Sequence, residues 1–362
     1  MPHKKITAGD VAERAGVSRA AVSMILNQYP DIHFSEETRA RVLSACRELG
    51  YKVPEKKLLV PAGRRVLLAV CPSCENYAYS RMLGEVQLQA KKQDYYMLSI
   101  HTFRDMSTEA AIPELCASMS VAGVIFLYNP RNREMVKTLV KQLPVVQVYD
   151  KGADPGQNVV ETDNVLVGEL MAAHLLKLGH RHIATTFPSL GASHIGRKRR
   201  IEGVKNAYRK AGMDPDRYVH VCCADQEDDM IAGRGDNSYD SGYRIAGRLV
   251  DEKAPVTAFL ANNDMAAYGI MDAIYERGKR IPEDYSVIGC DNIAVSGFQR
   301  VSLTTVEPYS VPRVREAVNI VVRKIEHRAD EETMEATPEG VIRVTYAPRL
   351  IERGSTGPVA NH

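Results

Sequence analysis

The first fifty residues contain three short segments in which apolar residues recur at helical spacing. The run Thr7-Ala-Gly-Asp10 has the form of a capping box and predicts the start of the first helix, which Gly16 ends. Ser18 is the expected N-cap of the second helix, and Ser35 begins the third. Two helices joined by a tight glycine turn are typical of a helix-turn-helix, whose second helix enters the major groove of DNA.

From Val66 onward, short apolar runs alternate with segments of helical periodicity. The predicted strands are Val66–Val70, Gly123–Tyr128, Val145–Tyr149, Ile183–Thr186, Val219–Cys222, Ala258–Ala261 and Val287–Cys290. The predicted helices are Leu83–Lys92, Glu134–Gln142, Val165–Leu178, Ile201–Ala211, Gly242–Val250, Met265–Arg277 and Val314–His327. Continuous apolar strands between helices indicate parallel sheets covered on both faces. We predict two doubly wound subdomains, with a ligand in the cleft at the carboxyl ends of their strands.

The segment from Lys52 to Arg65 contains two prolines, a glycine and three lysines, so we interpret it as a linker. The predicted domains are a helix-turn-helix at 1–57, a hinge at 58–65, an effector-binding and dimerisation domain at 66–353, and a tail at 354–362. Within the large domain, we expect one subdomain at about 66–161 and 293–324, and the other at about 162–292 and 325–353.

Charge separates the two parts of the chain. Residues 1–65 carry 12 Lys and Arg against 7 Asp and Glu, whereas the remainder carries 35 against 38. A small basic head on a mildly acidic body predicts that only the head meets a polyanion. No apolar run of membrane-spanning length and no secretory signal are evident, so we expect a cytoplasmic protein without a membrane partner.

The seven cysteines do not indicate a disulfide framework or a zinc site. The lone pair Cys71-Pro-Ser-Cys74 follows a predicted strand, so two interpretations stay open: a redox pair, or two small side chains at a strand end. His180 and His182 lie at a turn before a strand and do not form a metal motif. We expect no metal and no cofactor.

The sequence of the head resembles the lactose/galactose repressor family along Ile6–Asn27, Ser35–Val42 and Glu48–Tyr51. Family-like stretches in the body are Leu178–Ala184, Arg200–Gly203, Ala261–Asp264, Ile281–Asp291, Leu303–Val306 and Arg353–Thr356. The resemblance covers nearly the whole chain. It implies a small all-α helix-turn-helix head and an α/β sensor of two doubly wound parallel-sheet subdomains of periplasmic-binding-protein type. It also implies a homodimer, or a tetramer built from dimers.

The resemblance places Arg19 and Ala20 at the main specificity positions of the second helix. Arginine is the usual bidentate partner of guanine, whereas alanine offers only a methyl contact. The remaining candidates on the head, as small residues near the backbone or as phosphate hydrogen-bond partners, are Thr7, Ser18, Ala21, Ser23 and Asn27.

Two departures from the family pattern change the expected DNA contacts. Met24 stands where the family commonly has arginine, so we expect one guanine contact to be lost. In the hinge, the family has a leucine that wedges into the minor groove. The candidates for that wedge here are Leu58, Leu59 and Val60, although Pro61 would shorten a hinge helix. The candidates for phosphate contacts there are Lys56 and Lys57.

For the effector, the resemblance carries over Arg200, Asn263 and Asp291. The donors of an arginine and the acceptors of an aspartate can bracket the vicinal hydroxyls of a sugar. Further candidates, each with a helix cap or a solvated loop position as the alternative, are Asn76, Tyr77, Tyr79, Asp150, Asn237 and Tyr239. The arginines near Arg200 leave a sugar acid or a sugar phosphate open as well.

The sequence therefore predicts a DNA-binding transcriptional regulator, most simply a repressor, controlled by a sugar-like effector and binding a near-palindromic operator as a homodimer. A stand-alone small-molecule binding protein and an α/β enzyme are the alternatives. The glycine-rich phosphate loop, the G-x-S-x-G elbow and the H-E-x-x-H helix are absent, and nothing else in the sequence favours catalysis. The identity of the effector and its sign, inducer or corepressor, stay open.

Overall fold

The computed structural model describes residues 6–26, 34–49, 51, 65–149, 157–187, 195–223, 238–326 and 341–359. The chain divides into two compact units, residues 1–62 and residues 63–362. No helix within the described ranges is both long and apolar enough to cross a bilayer.

The smaller unit contains the three predicted helices, α1 (Ala8–Ala15), α2 (Arg19–Leu26) and α3 (Glu36–Leu49). Thr7 and Asp10 form the predicted capping box of α1, and Gly16 ends that helix in the left-handed conformation with φ 64°. Apolar side chains from all three helices make one small core, with Val11, Val22, Ile25, Val42 and Cys46 buried. The helix-turn-helix prediction is confirmed.

The larger unit alternates strands and helices. Its helices are α4 (Tyr77–Lys92), α5 (Met106–Ala110), α6 (Ile112–Ser118), α7 (Arg133–Val140), α8 (Asn164–Lys177), α9 (Ile195–Lys210), α10 (Pro215–Tyr218), α11 (Ser238–Asp251), α12 (Asp264–Glu276) and α13 (Ser310–Ile325), with a 3₁₀ turn at Ala294–Gly297. Its strands are β1 (Arg65–Cys71), β2 (Tyr95–His101), β3 (Val121–Phe126), β4 (Val145–Gln147), β5 (Asn158–Thr162), β6 (Ile183–Phe187), β7 (Val219–Cys223), β8 (Ala258–Ala261), β9 (Ser286–Cys290), β10 (Thr304–Glu307), β11 (Arg343–Tyr346) and β12 (Arg349–Ile351).

These strands form two sheets. The first has the order β11-β5-β4-β3-β1-β2 and is parallel throughout. The second has the order β12-β10-β9-β8-β6-β7 and is parallel except for β12, which runs antiparallel to β10. The seven predicted apolar runs all form strands, and the prediction of two parallel-sheet subdomains is confirmed.

The chain passes between the subdomains at points that differ from the expected ones. Strand β10 lies in the second sheet, although residues 293–324 were expected in the first subdomain. Strand β11 lies in the first sheet, although residues 325–353 were expected in the second subdomain. The periodicity of a strand shows that it is buried but carries no information about which of two similar sheets it joins.

The predicted tail at 354–362 also differs from the structure, because residues 354–359 pack on the second sheet. Ser355 is only 2% exposed; its hydroxyl donates to the Val287 carbonyl at 2.6 Å and accepts from the Thr304 amide at 2.8 Å. The Gly357 carbonyl lies 3.0 Å from Nε2 of the buried His180. These residues therefore belong to the second subdomain.

Pairs of glycines let the helices on both faces of the second sheet approach backbone to backbone. Helices α8 and α9 cover one face, where a Cβ at Gly168 would lie 2.0 Å from the Arg200 carbonyl oxygen and one at Gly203 would lie 1.9 Å from that of Val165. On the other face, α11 and α12 make the same kind of contact. A Cβ at Gly242 would lie 2.2 Å from the Ala266 carbonyl oxygen, and one at Gly269 would lie 2.0 Å from that of Tyr239. No larger residue fits such contacts without separating the helices.

We expect Gly168→Ala and Gly84→Ala to change stability in opposite directions. Gly168→Ala places a methyl group against backbone and should destabilise the larger unit by at least about 3 kcal/mol. Gly84 lies in the exposed face of α4 with open space around its Cα, so Gly84→Ala should stabilise by roughly 0.5–1 kcal/mol. Urea unfolding followed by far-UV circular dichroism measures both. Equal effects of the two substitutions would contradict the close helix contact.

Candidate functional site

The N-terminal turn of α2 presents the predicted base-reading residues to solvent. The Ser18 hydroxyl accepts a hydrogen bond from the Ala21 amide at 3.0 Å and so caps the helix. Arg19 and Ala20 follow in the first turn, and both are exposed. Because the cap uses a lone pair of Ser18, its hydroxyl proton is still available to a phosphate oxygen. The cap and the predicted DNA contact are therefore compatible.

The other head candidates have differing surroundings. The Thr7 hydroxyl accepts from the Asp10 amide at 3.4 Å and donates to the Asp10 carboxylate at 2.6 Å, so Thr7 acts first as a helix cap. Ala21 and Met24 are half-buried. The side chain of Ser23 lies outside the described part of the structure, as do Asn27, Lys56, Lys57, Leu58 and Leu59.

In the second subdomain, Arg200 joins three segments with its planar fork. One terminal nitrogen donates to the Asn262 carbonyl after β8, and the other donates to Asn164 Oδ1 at the start of α8 at 2.8 Å. The side chain is half-buried and projects from the first part of α9. The structure thus places this predicted effector residue at the carboxyl edge of the second sheet.

Asn263 lies at the same edge, where its Oδ1 caps α12 by accepting from the Ala266 amide at 2.9 Å. The next residue, Asp264, is fully buried and was not predicted from the sequence. Its carboxylate accepts from the Ile293 amide at 2.9 Å and from the Ser296 and Thr305 hydroxyls at 2.5 Å. Burial raises the pKa of Asp264, and these three donors oppose the shift. Asp264 thereby fixes the loop that follows β9.

Asp291 begins that loop in a strained conformation. Its φ of 124° lies in a region that residues other than glycine rarely adopt, and Asn292 follows with φ 48°. The Asn292 side chain is held on both sides, donating to Glu307 at 3.0 Å and accepting from Arg353 at 2.7 Å. Backbone strain of this kind is concentrated at ligand sites, so the geometry supports a functional role for Asp291.

In the first subdomain, Asn76 is the N-cap of α4, where its Oδ1 accepts from the Ala78 amide at 2.9 Å. Asn76 therefore acts as a helix cap, which was the alternative to a role in effector binding. Tyr77 is 40% exposed. The Tyr79 hydroxyl accepts a hydrogen bond from Nη2 of Arg104 at 3.5 Å, which makes Arg104 a further polar residue at this edge.

Of the remaining predicted effector residues, Tyr239 is directed along α12. Its hydroxyl donates to Asp272 at 2.5 Å, and this hydrogen bond is the main cause that raises the pKa of Tyr239 to about 12. That bond joins α11 to α12, so the hydroxyl contributes to helix packing. Asp150 and Asn237 lie outside the described residues.

Contacts between the two subdomains bring their carboxyl edges together. Glu161 at the end of β5 is 3% exposed and pairs with Arg343, and Arg199 of α9 lies 4.0 Å from its carboxylate. The neighbouring Thr162 hydroxyl donates to the Pro308 carbonyl at 2.7 Å. Glu161 and Arg199 were not predicted, although the Arg-rich start of α9 was the available signal. The carboxyl edge of the first sheet therefore faces the start of α9.

The cysteine pair at the end of β1 favours the packing interpretation. Cys71 is buried and Cys74 exposed, and neither forms a disulfide. Burial raises the pKa of the Cys71 thiol to about 12. Because the thiolate is the reactive form, this thiol is a poor nucleophile at neutral pH.

The chain is similar to known proteins in sequence and in structure. A model described as "Bacterial regulatory proteins, lacI family" matches residues 7–53, and one described as "Periplasmic binding protein-like domain" matches residues 172–356. The HTH-type transcriptional regulator DegA of Bacillus subtilis is 29% identical over 362 residues, covering 98% of this chain and 99% of DegA.

Solved structures of similar proteins share the fold. A LacI family transcriptional regulator from Enterococcus faecium with bound ribose has a TM-score of 0.69 at 23% identity, covering 82% of this chain and 100% of that one. A lac repressor dimer bound to operator and the anti-inducer ONPF has a TM-score of 0.66 at 23% identity, covering 98% of this chain and 100% of that one.

We expect Arg200→Lys to destabilise the second subdomain, because an ammonium cannot donate along two fixed directions at once. The loss should be about 1.5–3 kcal/mol, the usual worth of a charged hydrogen bond. Arg209→Lys on the exposed end of the same helix is the matched control, and it should change stability by less than about 0.5 kcal/mol. Urea unfolding measures both variants, and an equal loss in both would show that the fork has no structural role.

Proposed function

The chain belongs to the lacI family of bacterial regulatory proteins, and from that premise we propose that it is a transcriptional repressor whose operator affinity depends on a small polar effector. The observation that carries the DNA-binding half is the exposed pair Arg19 and Ala20 on the first turn of α2, above the buried Val22 and Ile25. A helix anchored by its apolar face and polar at its N-terminus suits the major groove.

The effector half rests on the carboxyl edge of the second sheet. Arg200 supplies donors there and Asp291 supplies acceptors, a combination that suits the hydroxyls of a sugar. The strained backbone of Asp291 adds support, because a conformation of that kind persists only where the surrounding contacts enforce it. Among the similar proteins, the regulator from Enterococcus faecium was solved with bound ribose.

We infer a homodimer on a near-palindromic operator. A single helix-turn-helix contacts few base pairs, and two heads related by a two-fold axis double that number. The similar lac repressor was solved as a dimer on its operator. Leu58 and Leu59 remain our candidates for a minor-groove wedge, and Lys56 and Lys57 for phosphate contacts, all outside the described residues.

Effector control requires that the ligand bind two arrangements of the subdomains with different affinity. Two contacts between the subdomains would differ between such arrangements. They are the ion pair of Glu161 with Arg199 and the hydrogen bond from Thr162 to the Pro308 carbonyl. A sugar seated between the two carboxyl edges would favour the arrangement in which both edges contact it. The hinge would transmit that preference to the head as a change in operator affinity.

The central experiment measures binding of the full-length protein to DNA fragments from its own genomic neighbourhood, with and without a panel of sugars and sugar acids. We expect one near-palindromic fragment to be retarded and one class of compound to release it. If no fragment binds at low salt under any condition, the repressor proposal is wrong.

We expect Arg19→Ala to weaken operator binding roughly five- to hundredfold, as for the loss of a bidentate guanine contact worth about 1–3 kcal/mol. Binding to a scrambled fragment should change far less, because the lost contact reads a base. Arg41→Ala, on the exposed face of α3, is the control and should affect both fragments alike. Titrations by fluorescence anisotropy at fixed salt measure the ratio. An equal loss on both fragments in Arg19→Ala would instead indicate a phosphate contact.

We expect Asp291→Asn to retain operator binding and to lose release by the effector, because the amide replaces one acceptor oxygen with donors. The effector concentration for half release should rise roughly tenfold or more. The control is Asp284→Asn, which alters a carboxylate paired with Arg280 before the opposite end of the same strand. Release of Asp291→Asn at the wild-type concentration would contradict the assignment.

A further inference from the structure

Arg104 lies where three strands of the first sheet end. It follows β2 with φ 57°, and its guanidinium carbon is 5.0 Å from the centre of the Tyr128 ring, just beyond β3. Its Nη2 is 3.5 Å from the hydroxyl of Tyr79, in the first turn after β1. Ligands of doubly wound sheets bind at this edge, so Arg104 is held at the place where a ligand is expected.

The charge of Arg104 has no carboxylate partner within the described part of the chain. The acid on the far side of Tyr128 is Glu109, which is fully buried and already accepts from the Tyr128 hydroxyl at 2.5 Å and the Asn132 amide at 2.7 Å. A second cation, Arg131, donates to the Arg104 carbonyl at 3.5 Å. This edge therefore carries a half-buried positive charge that a ligand can meet.

Two buried side-chain nitrogens without hydrogen-bond partners among the described residues lie at the carboxyl ends of β2 and β3. Asn129, the residue after Tyr128, is 9% exposed, and its Nδ2 is buried with no hydrogen-bond partner among the described residues. The same holds for Nε2 of His101, the last residue of β2. Buried polar atoms in folded proteins nearly always have a partner. An amide donor without an acceptor, at the strand ends that also carry Arg104, points to a ligand with acceptor oxygens.

We propose that the effector carries an anionic group, a carboxylate or a phosphate, that binds Arg104 of the first subdomain. This inference rests on the proposed effector cleft and names the chemical class of its ligand. The guanidinium fork matches the oxygens of either anion. Asp291 on the opposite edge repels an anion and accepts from hydroxyls, so the two edges orient a polyhydroxy acid or a sugar phosphate in one direction.

The test compares the full-length protein with Arg104→Gln and with Arg209→Gln, on the exposed end of α9, as the control. Thermal unfolding is followed as inorganic phosphate replaces chloride at constant ionic strength. We expect phosphate to raise the unfolding temperature of the wild type and of Arg209→Gln, and to have a roughly ten- to hundredfold weaker apparent affinity for Arg104→Gln. No phosphate effect on the wild type, or an equal effect on Arg104→Gln, overturns the proposal. If Arg104→Gln does not fold, Arg104→Met and Arg104→Lys replace it.

Matched ligands distinguish the two anions and separate this inference from the proposed function. Calorimetric titrations with glucose, glucuronate and glucose 6-phosphate compare a neutral sugar with its carboxylate and phosphate counterparts. Preference for either anion that disappears in Arg104→Gln supports the proposal, and equal binding of all three by the wild type contradicts it. If anions bind through Arg104 but operator affinity is unchanged, the anion site stands and the effector-controlled repressor proposal fails.

Discussion

The close approach of helix backbones at paired glycines is the constraint on which the second subdomain depends. Gly168 and Gly203 allow α8 and α9 to touch carbonyl to Cα on one face of the sheet, and Gly242 and Gly269 do the same for α11 and α12 on the other. The Gly168 contact is with the carbonyl of Arg200, the residue whose side chain links α8, α9 and the segment after β8. The close packing at Gly168 therefore fixes the backbone of Arg200, the candidate effector residue, and with it the position of its guanidinium.

The polar groups of the second subdomain are held by one another. Asn263 caps α12, Asp264 ties that cap to the loop after β9, and Asn292 is held between Glu307 and Arg353. This network over-determines the loop, and it can therefore hold Asp291 at a φ that costs free energy. A ligand that meets such groups spends less binding free energy on ordering them.

The strongly periodic parts of the fold could be predicted from the sequence, and the parts defined by tertiary contacts could not. The apolar strand Val287–Cys290 is evident because both of its faces are buried. The edge strand Tyr95–His101 was missed because it mixes exposed and buried residues without a clear period. In the candidate site, Arg200 was predicted from its family-like surroundings. Asp264 was missed, because its role depends on donors from residues 293–305 that only the fold brings near.

The same distinction explains why Arg104 could not be found from the sequence. It is a single arginine after an edge strand that was itself missed. Its contacts are a tyrosine ring just beyond β3 and a hydroxyl from α4. Coupling between ligand and DNA is reciprocal, since any effector that lowers operator affinity is itself bound less tightly by the operator complex. A ligand held by Arg104 on one subdomain and by Asp291 on the other, as we propose, would sense their relative position through charges of opposite sign. A neutral sugar would sense that position through hydrogen bonds alone, so a charged effector would make more free energy available for the switch.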